Sequence, residues 1–149
     1  MSHVVTIKTV LKDIDAVEAV CKELGLTFKE NQRTYSWWGT SVGDYPLPKG
    51  FTKEDLGKCD HAIGIPGTDW EVGVVKLRDG QEGYTLIFDF FGSRGQPILQ
   101  ALGGEQANKF SQLYGVHVAT MQAQKRGLRV IRNVQPTGVI RLQITGRAL

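Results

Sequence analysis

The sequence contains three histidines, His3, His61 and His117, and histidine as a residue type titrates near neutral pH. An imidazole can take or give a proton at that pH, so each is a candidate general acid or base. Residues 3–6 and 117–120 both read His-x-x-Thr, whereas two-histidine phosphoesterases use His-x-Thr on strands, where alternate residues share a face. The spacing excludes that motif but leaves open a metal-independent phosphodiesterase in which His3 and His117 converge.

A structural role is the alternative for each histidine. His117 lies on the predicted apolar face of a helix, where it would bond a backbone carbonyl or Tyr114. His3 opens a predicted strand near the start of the sequence, which is typical of an exposed or capping side chain. Adjacent residues on a strand point to opposite faces, so Asp60 and His61 are not a catalytic dyad.

The glycine-rich segment 92–95 is a candidate anion site. It leads to a short helix predicted over 98–102, with Pro97 in its first turn. Backbone N–H groups, the helix N-terminus and Arg94 would together favour an anion there, with Ser93 beside them. Walker and dinucleotide-binding motifs are missing, and Ser93 is not in a G-x-S-x-G elbow. A plain flexible connector is the alternative.

Charge is unevenly distributed along the sequence. The net charge of +3 is too small to establish nucleic-acid binding. However, the acidic residues end at Glu105, and residues 113–149 carry six Lys or Arg and no Asp or Glu. This segregation predicts a basic surface, including Arg129 and Arg141, for nucleotide phosphates, nucleic acid or an acidic partner. A solvated basic face is the alternative.

Aromatic residues could add a stacking surface to that basic patch. Trp37 and Trp38 alternate on a predicted strand after Tyr35, so we expect one in the core and the other exposed at a contact or an oligomer interface. The predicted ligand-binding set is Arg94, Ser93, Trp38, Tyr114, Arg129 and Arg141.

Metal and thiol chemistry are disfavoured by the motifs. Cys21 and Cys59 lie outside CxxC and CxxH patterns, and no HExxH motif occurs. We expect two unpaired thiols, with Cys21 on the buried stripe of a helix. No metal and no cofactor is predicted.

The length of 149 residues predicts a single domain over 1–149. Apolar periodicity gives the order β-α-β-β, a long loop at about 40–58, then β-β-β-α-β-β. The main helices are predicted at 13–24, with Asp13 as N-cap and Gly25 after its end, and at 105–126. The predicted fold class is α+β, ferredoxin-like, an antiparallel sheet with both main helices on one face.

Local patterns also place the strands and one helical turn. Strand 83–91 is apolar on both faces, which predicts a central strand covered twice. A helical turn is predicted after Thr52, and an Asp79-Gly80 hairpin turn joins two strands. The predicted strands are 3–9, 26–30 paired with 33–38, 61–65, 70–77, 83–91, 128–132 and 139–145.

Neither a secretory signal nor an apolar run of about 18 residues is present. We therefore expect a cytoplasmic protein without membrane contact, in a bacterium, in the plastid stroma or in an infected host cell.

The sequence resembles a family of small uncharacterised proteins encoded in cyanobacteria, plastids and bacteriophages, known in plastids as a hypothetical chloroplast reading frame. The segments that carry the resemblance are Met1–His3, Thr6–Thr9, Leu24–Leu26, Trp70–Val74, Tyr84–Asp89, Gln112–Tyr114 with His117, Gly127 and Ile140–Leu142. The resemblance excludes the 40–58 loop, which looks longer here. Tyr35–Trp38 stands where the family has a basic aromatic hairpin.

The resemblance implies no established activity. In cyanobacteria and plastids such proteins are associated with a gene for an AAA-type ATPase, which implies an adaptor of that ATPase by analogy. Phage members would act on host pathways.

The sequence thus predicts a non-enzymatic binding or accessory module for an anionic partner, either a nucleotide-type ligand or nucleic acid. The alternatives are the phosphodiesterase using His3 and His117 and the AAA-type ATPase adaptor. A homo-oligomer is left open.

Overall fold

The structure, a computed structural model, describes residues 2–41, 43 and 45–147. The strands are β1 (Val4–Thr6), β2 (Thr27–Lys29), β3 (His61–Gly64), β4 (Glu71–Lys76), β5 (Tyr84–Asp89), β6 (Leu128–Val134) and β7 (Ile140–Arg147). The α-helices are α1 (Ile14–Leu24), α2 (Gly92–Leu102) and α3 (Asn108–Lys125). Over these described ranges, no helix is both long enough and apolar enough to cross a membrane.

Five strands form the main sheet, in the order β1-β5-β4-β3-β2, and every neighbouring pair is antiparallel. The strands β6 and β7 form a separate antiparallel pair. The β4–β5 hairpin closes through Asp79 and Gly80, which both have positive φ, as a type I′ turn requires. The predicted Asp79-Gly80 turn is therefore confirmed.

The α+β class is confirmed, but the ferredoxin-like arrangement is not. In a split β-α-β unit the helix joins two strands that have one strand between them. Here β2, β3, β4 and β5 follow one another as a meander, and β1 pairs with β5 at the far edge. Helix α1 therefore connects the two edge strands across the whole sheet.

Different layers cover the two faces of the main sheet. On one face, Val72 and Phe88 pack with residues of all three helices, such as Val17 and Phe110. On the other face, Ile87 belongs to a second core built by the long segment between β2 and β3. Strand β5 is therefore interior and covered twice, as predicted, although β4 occupies the middle of the sheet.

Residues 33–38 were predicted to form a strand paired with residues 26–30, and this prediction is wrong. Strand β2 pairs with β3 instead. Only an isolated bridge joins Thr34 to Lys58. The Tyr35 ring lies against β4 at Gly73, where an added Cβ would be 2.6 Å from the ring. The segment therefore covers a face of the sheet rather than extending its edge.

The predicted connector at 92–95 is also wrong, because this segment is the first turn of α2. Gly95, Ile98 and Leu102 form the buried side of α2, and a Cβ on Gly95 would lie 2.2 Å from the carbonyl carbon of Phe90. Pro97 lies inside the helix, where it removes one backbone hydrogen bond. The helix therefore begins six residues earlier than the apolar pattern indicates.

Several local predictions are confirmed. Asp13 caps α1 by accepting a hydrogen bond from the N–H of Ala16, and Gly25 ends the helix with φ of 73°. A 3₁₀ turn at 53–55 follows Thr52, as predicted. Cys21 and Cys59 are buried free thiols, and burial raises the pKa of each to about 12.

Candidate anion-binding site

The N-terminus of α2 is open to a ligand. Phe91 precedes the helix and offers no side-chain acceptor, and the first turn contains no acidic residue. The N–H groups of Gly92, Ser93 and Arg94 have no carbonyl partner inside the helix. They form the positive end of the helix dipole, which favours an anion.

A cavity of about 180 Å³ lies at this helix start. Its lining residues are Trp38, Trp70, Phe91, Gly92, Ser93 and Arg94. The Trp38 side chain is 48% exposed, whereas Trp70 is buried. Trp37 is partly buried against the second core and Trp38 is exposed, although the strand whose alternation predicted this division does not form. The structure thus brings Trp38, Ser93 and Arg94 of the predicted set together.

The turn before β4 fixes the other wall of this cavity. The Thr68 hydroxyl donates to the carbonyl of Arg94 over 2.8 Å and accepts from the N–H of Trp70 over 3.2 Å. The Arg94 guanidinium lies 3.8 Å from the Asp69 carboxylate, and both side chains are largely exposed. Such a long, solvated ion pair is weak, so Arg94 can exchange Asp69 for a ligand anion.

A larger cavity of about 490 Å³ shares Trp70 with the first and contains Lys29 and Glu71. The buried Glu71 carboxylate accepts from the Lys29 ammonium at 2.6 Å, from the Ser36 N–H at 2.9 Å and from the Gln32 amide. Burial opposes ionisation of Glu71, but these hydrogen bonds outweigh it and hold its pKa below the ordinary value. Glu71 therefore ties the segment 32–36 to the sheet.

Sequence reasoning missed the Glu71 network. The available signal was a carboxylate in the otherwise apolar run 70–75, because a charge in a buried strand requires partners. The identity of those partners, Lys29 and Gln32, depends on the pairing of β2 with β3.

The Asp89 side chain stabilises the backbone just before α2. It is fully buried at the end of β5, and its Oδ1 accepts from the N–H of His3 at 2.9 Å and of Phe91 at 3.0 Å. Its Oδ2 has no hydrogen-bond partner among the described residues. The carboxylate thus fixes β1 against the entry to α2.

His3 lies next to this helix start in an aromatic cluster. The centroid of its ring is 4.5 Å from that of Tyr45, 5.3 Å from that of Phe90 and 4.9 Å from that of Phe91. Phe91 also lines the small cavity, so His3 is a neighbour of the site without lining it. The ring packs against aromatic side chains, which favours a structural role.

His117 has a different environment. Its Nε2 lies 2.8 Å from the Glu23 carboxylate, which also accepts from Arg132 at 3.0 and 3.1 Å. The hydrogen bond from Arg132 is the largest cause and lowers the pKa of Glu23; burial opposes it, and the smaller contribution of His117 adds to the lowering. The predicted bond of His117 to a carbonyl or to Tyr114 is thus replaced by one to Glu23.

The contacts of His3 and those of His117 have no residue in common. His61 is buried and accepts the N–H of Asn31 on its Nδ1 at 3.0 Å. This satisfied core histidine is not paired with Asp60.

The remaining predicted ligand residues lie away from the cavity. The Tyr114 hydroxyl is buried and accepts the N–H groups of Lys12 and Asp13 at 2.8 and 3.0 Å, so it anchors the start of α1. Arg129 and Arg141 are exposed on β6 and β7. The Tyr114 hydroxyl was predicted to contact a ligand, and it contacts the backbone of Lys12 and Asp13 instead.

Comparison of the chain with protein-family models, with curated proteins and with solved structures finds no match. Membership of the plastid and phage family stays a prediction. Among the described residues, no group of three His, Cys, Asp or Glu side chains is placed to hold a metal ion.

Proposed function

We propose that the protein is a non-enzymatic binding module for an anionic, nucleotide-type ligand at the N-terminus of α2. The observation that carries this proposal is the half-exposed indole of Trp38 on the same cavity as the helix start and Arg94. A nucleotide consists of a flat base and an anionic phosphate group. The cavity offers a flat indole for the base and, beside it, positively charged groups for the phosphate.

Each part of the site would contact a different part of the ligand. The N–H groups at the start of α2 would bind phosphate oxygens, as helix N-termini do. The planar Arg94 guanidinium can hold two phosphate oxygens at once. The Trp38 indole would stack on a base, which stabilises binding by about 1–3 kcal/mol in stacking platforms.

The size and lining of the cavity favour partial enclosure and binding rather than catalysis. A cavity of about 180 Å³ is smaller than the roughly 300–1,000 Å³ that encloses a drug-sized ligand. The rest of the ligand would extend along Trp70 towards the larger cavity. The lining of the small cavity contains no His, Asp, Glu, Lys, Tyr or Cys, the side chains that most often act as general acid or base.

Calorimetric titration with ATP, AMP, adenosine and inorganic phosphate tests this function. We expect AMP and ATP to bind more tightly than adenosine or phosphate alone. The variant Arg94→Gln should weaken nucleotide binding about tenfold, because it removes a charge-assisted hydrogen bond. Trp38→Ala should weaken the nucleotides but leave phosphate binding unchanged.

The matched control is Arg33→Gln, which removes an exposed arginine that pairs with Asp60 away from the cavity. It should bind nucleotides like the unaltered protein. Absence of nucleotide binding, or equal losses in Arg94→Gln and Arg33→Gln, would contradict the proposal.

The two alternatives stay predictions without a supporting contact. A phosphodiesterase that uses His3 and His117 needs both imidazoles at one bond, and their contacts are separate. The ATPase adaptor rests on the family resemblance alone.

A further inference from the structure

The β6–β7 hairpin has the least covered strands of the described chain. It forms no ladder with the main sheet, and a two-stranded hairpin alone is marginally stable in water. Packing on α3, the Arg132–Glu23 ion pair and a hydrogen bond from the Ile140 N–H to Gln112 hold it in place. The hairpin is therefore a positioned but open surface.

Large aliphatic side chains are exposed on this hairpin. Ile131, Val134, Val139 and Ile144 have exposed fractions between 41% and 66%, and they are most of the exposed large hydrophobic residues of the described chain. By the strand register, Ile131 lies on the face of Arg129 and Arg141, whereas Val134 and Ile144 lie on the opposite face. Exposed β-branched residues on an unpaired hairpin are typical of an interaction surface.

Two edges of this hairpin are also unpaired. Among the described residues, β6 pairs only with β7, so each strand has one edge without a strand partner. Strand β6 packs more closely on α3 than β7 does. The edge of β7 beyond Ile140, whose N–H is bonded to Gln112, is therefore the more accessible template for another strand.

The charge of the hairpin is strictly of one sign. Residues 106–149 contain no Asp or Glu, whereas Lys125, Arg126, Arg129, Arg132 and Arg141 lie on the hairpin or just before it. Arg132 pairs with Glu23, but Arg129 and Arg141 form no ion pair with a described residue. The register places Arg129 opposite Thr145 and Arg141 opposite Asn133, so both arginines share one face.

We propose that the β6–β7 hairpin is a docking surface for an acidic protein segment that adds to the edge of β7 as a third strand. On such a strand, alternate acidic residues would lie beside Arg141, on the face of the hairpin that Arg129 of β6 also occupies. The residues between them would extend the aliphatic face of Leu142 and Ile144.

The other occupants fit this surface less well. A second copy of the chain would place two acid-free basic hairpins side by side, and like charges oppose such pairing. A single-stranded nucleic acid would find no aromatic side chain for stacking between residues 128 and 147. Neither occupant uses both the charge and the exposed aliphatic residues.

The test uses a fluorescent peptide of alternating Glu and Val, about as long as the 8-residue strand β7. Anisotropy titration should show binding that weakens as salt rises. The matched Lys-Val peptide should not bind. A Glu-Val peptide with N-methylated backbone on alternate residues should also fail, because it cannot form the strand hydrogen bonds.

Variants of the protein locate the contact. Arg141→Glu should weaken binding of the Glu-Val peptide about tenfold or more, because it sets like charges against each other. Lys53→Glu changes the same charge at an exposed residue of the 3₁₀ turn and should leave binding unchanged. Ile144→Ser gives a second, uncharged variant, which should also weaken binding, and circular dichroism checks that each variant is folded.

Four results would overturn the proposal: no binding of the Glu-Val peptide, equal binding of the Lys-Val peptide, equal binding of the N-methylated peptide, or equal loss with Lys53→Glu. Stronger Arg141-dependent binding to single-stranded RNA or to anionic lipid vesicles would assign the surface to those partners instead. Arg94→Gln should bind the peptide normally, so this test is independent of the nucleotide site.

Discussion

The main sheet and the β6–β7 hairpin are built from similar strands in opposite surroundings. Strand β4 is rich in valine, and five of its six residues are buried. Strand β6 also carries Val130, Ile131 and Val134, yet none of its seven residues is buried. β-branched composition thus specifies a strand, whereas layers supplied by other segments decide whether the strand becomes core or contact surface.

The largest expected effect is loss of a buried aromatic residue from the main sheet. Phe88→Ala should lower the free energy of unfolding by about 3–5 kcal/mol, because Phe88 is fully buried between sheet and helices. Ile131→Ala on the hairpin should change it by less than about 0.5 kcal/mol. Denaturant unfolding measures both values. Comparable losses would show that the hairpin is part of the stabilising core.

The next largest expected effect on stability is removal of the buried carboxylate of Glu71. Glu71→Gln should cost about 2–3 kcal/mol, because it removes charge-assisted hydrogen bonds to Lys29 and the segment 32–36. The folded-state pKa of Glu71 lies below its ordinary value, so its stabilisation is present above that value and is lost as pH falls through the lowered pKa.

Unfolding measured between neutral pH and pH below 4.5, the ordinary pKa of the group, checks this sign. The unaltered protein should lose stability on acidification more steeply than Glu71→Gln does. Identical pH profiles would mean that Glu71 does not contribute to the acid sensitivity.

Alanine substitutions of one glycine in the main sheet and one in the β6–β7 hairpin should differ in their effect on the free energy of unfolding, by less than the two variants above. Gly73→Ala should cost about 1–3 kcal/mol, because its Cβ would lie 2.6 Å from the Tyr35 ring and 2.9 Å from Ile87. Gly146→Ala on β7 meets open space and should stay within about 0.5 kcal/mol. Thermal unfolding of the two variants should separate clearly, and equal melting temperatures would contradict the close packing of Tyr35.

The smallest effect concerns the link between the hairpin and the helices. Arg132→Ala should cost less than about 1 kcal/mol globally, because its pair with Glu23 is about one-third exposed. Amide hydrogen exchange should show faster opening of β6 and β7 in this variant, with β4 and β5 unchanged. Uniform acceleration over both regions would mean that the hairpin and the sheet unfold as one unit.

Much of the local structure could be read from neighbouring residues. The Asp13 cap, the Gly25 end of α1 and the Asp79-Gly80 turn were predictable because they depend on backbone conformation and contacts a few residues apart. The start of α2 was missed because Gly92–Gly95 has poor helix propensity, and its helical form depends on packing of Gly95 against Phe90.

The candidate site was predictable only in part. Ser93 and Arg94 adjoin in sequence, so their shared position could be inferred, but the arrival of Trp38 depends on the long segment that covers the sheet. Tyr114 was misjudged because its hydroxyl meets the backbone at Lys12 and Asp13, which lie about a hundred residues away.

The sequence by itself determined most of the element types, several caps and turns and the acid-free basic segment after Glu105, because these depend on composition and short-range geometry. The tertiary structure alone decided the strand order, the partners of Glu71 and His117, and the separation of the Trp38–Arg94 cavity from the basic hairpin. Such pairings form between distant residues, and many alternatives satisfy the same local pattern until the cores pack.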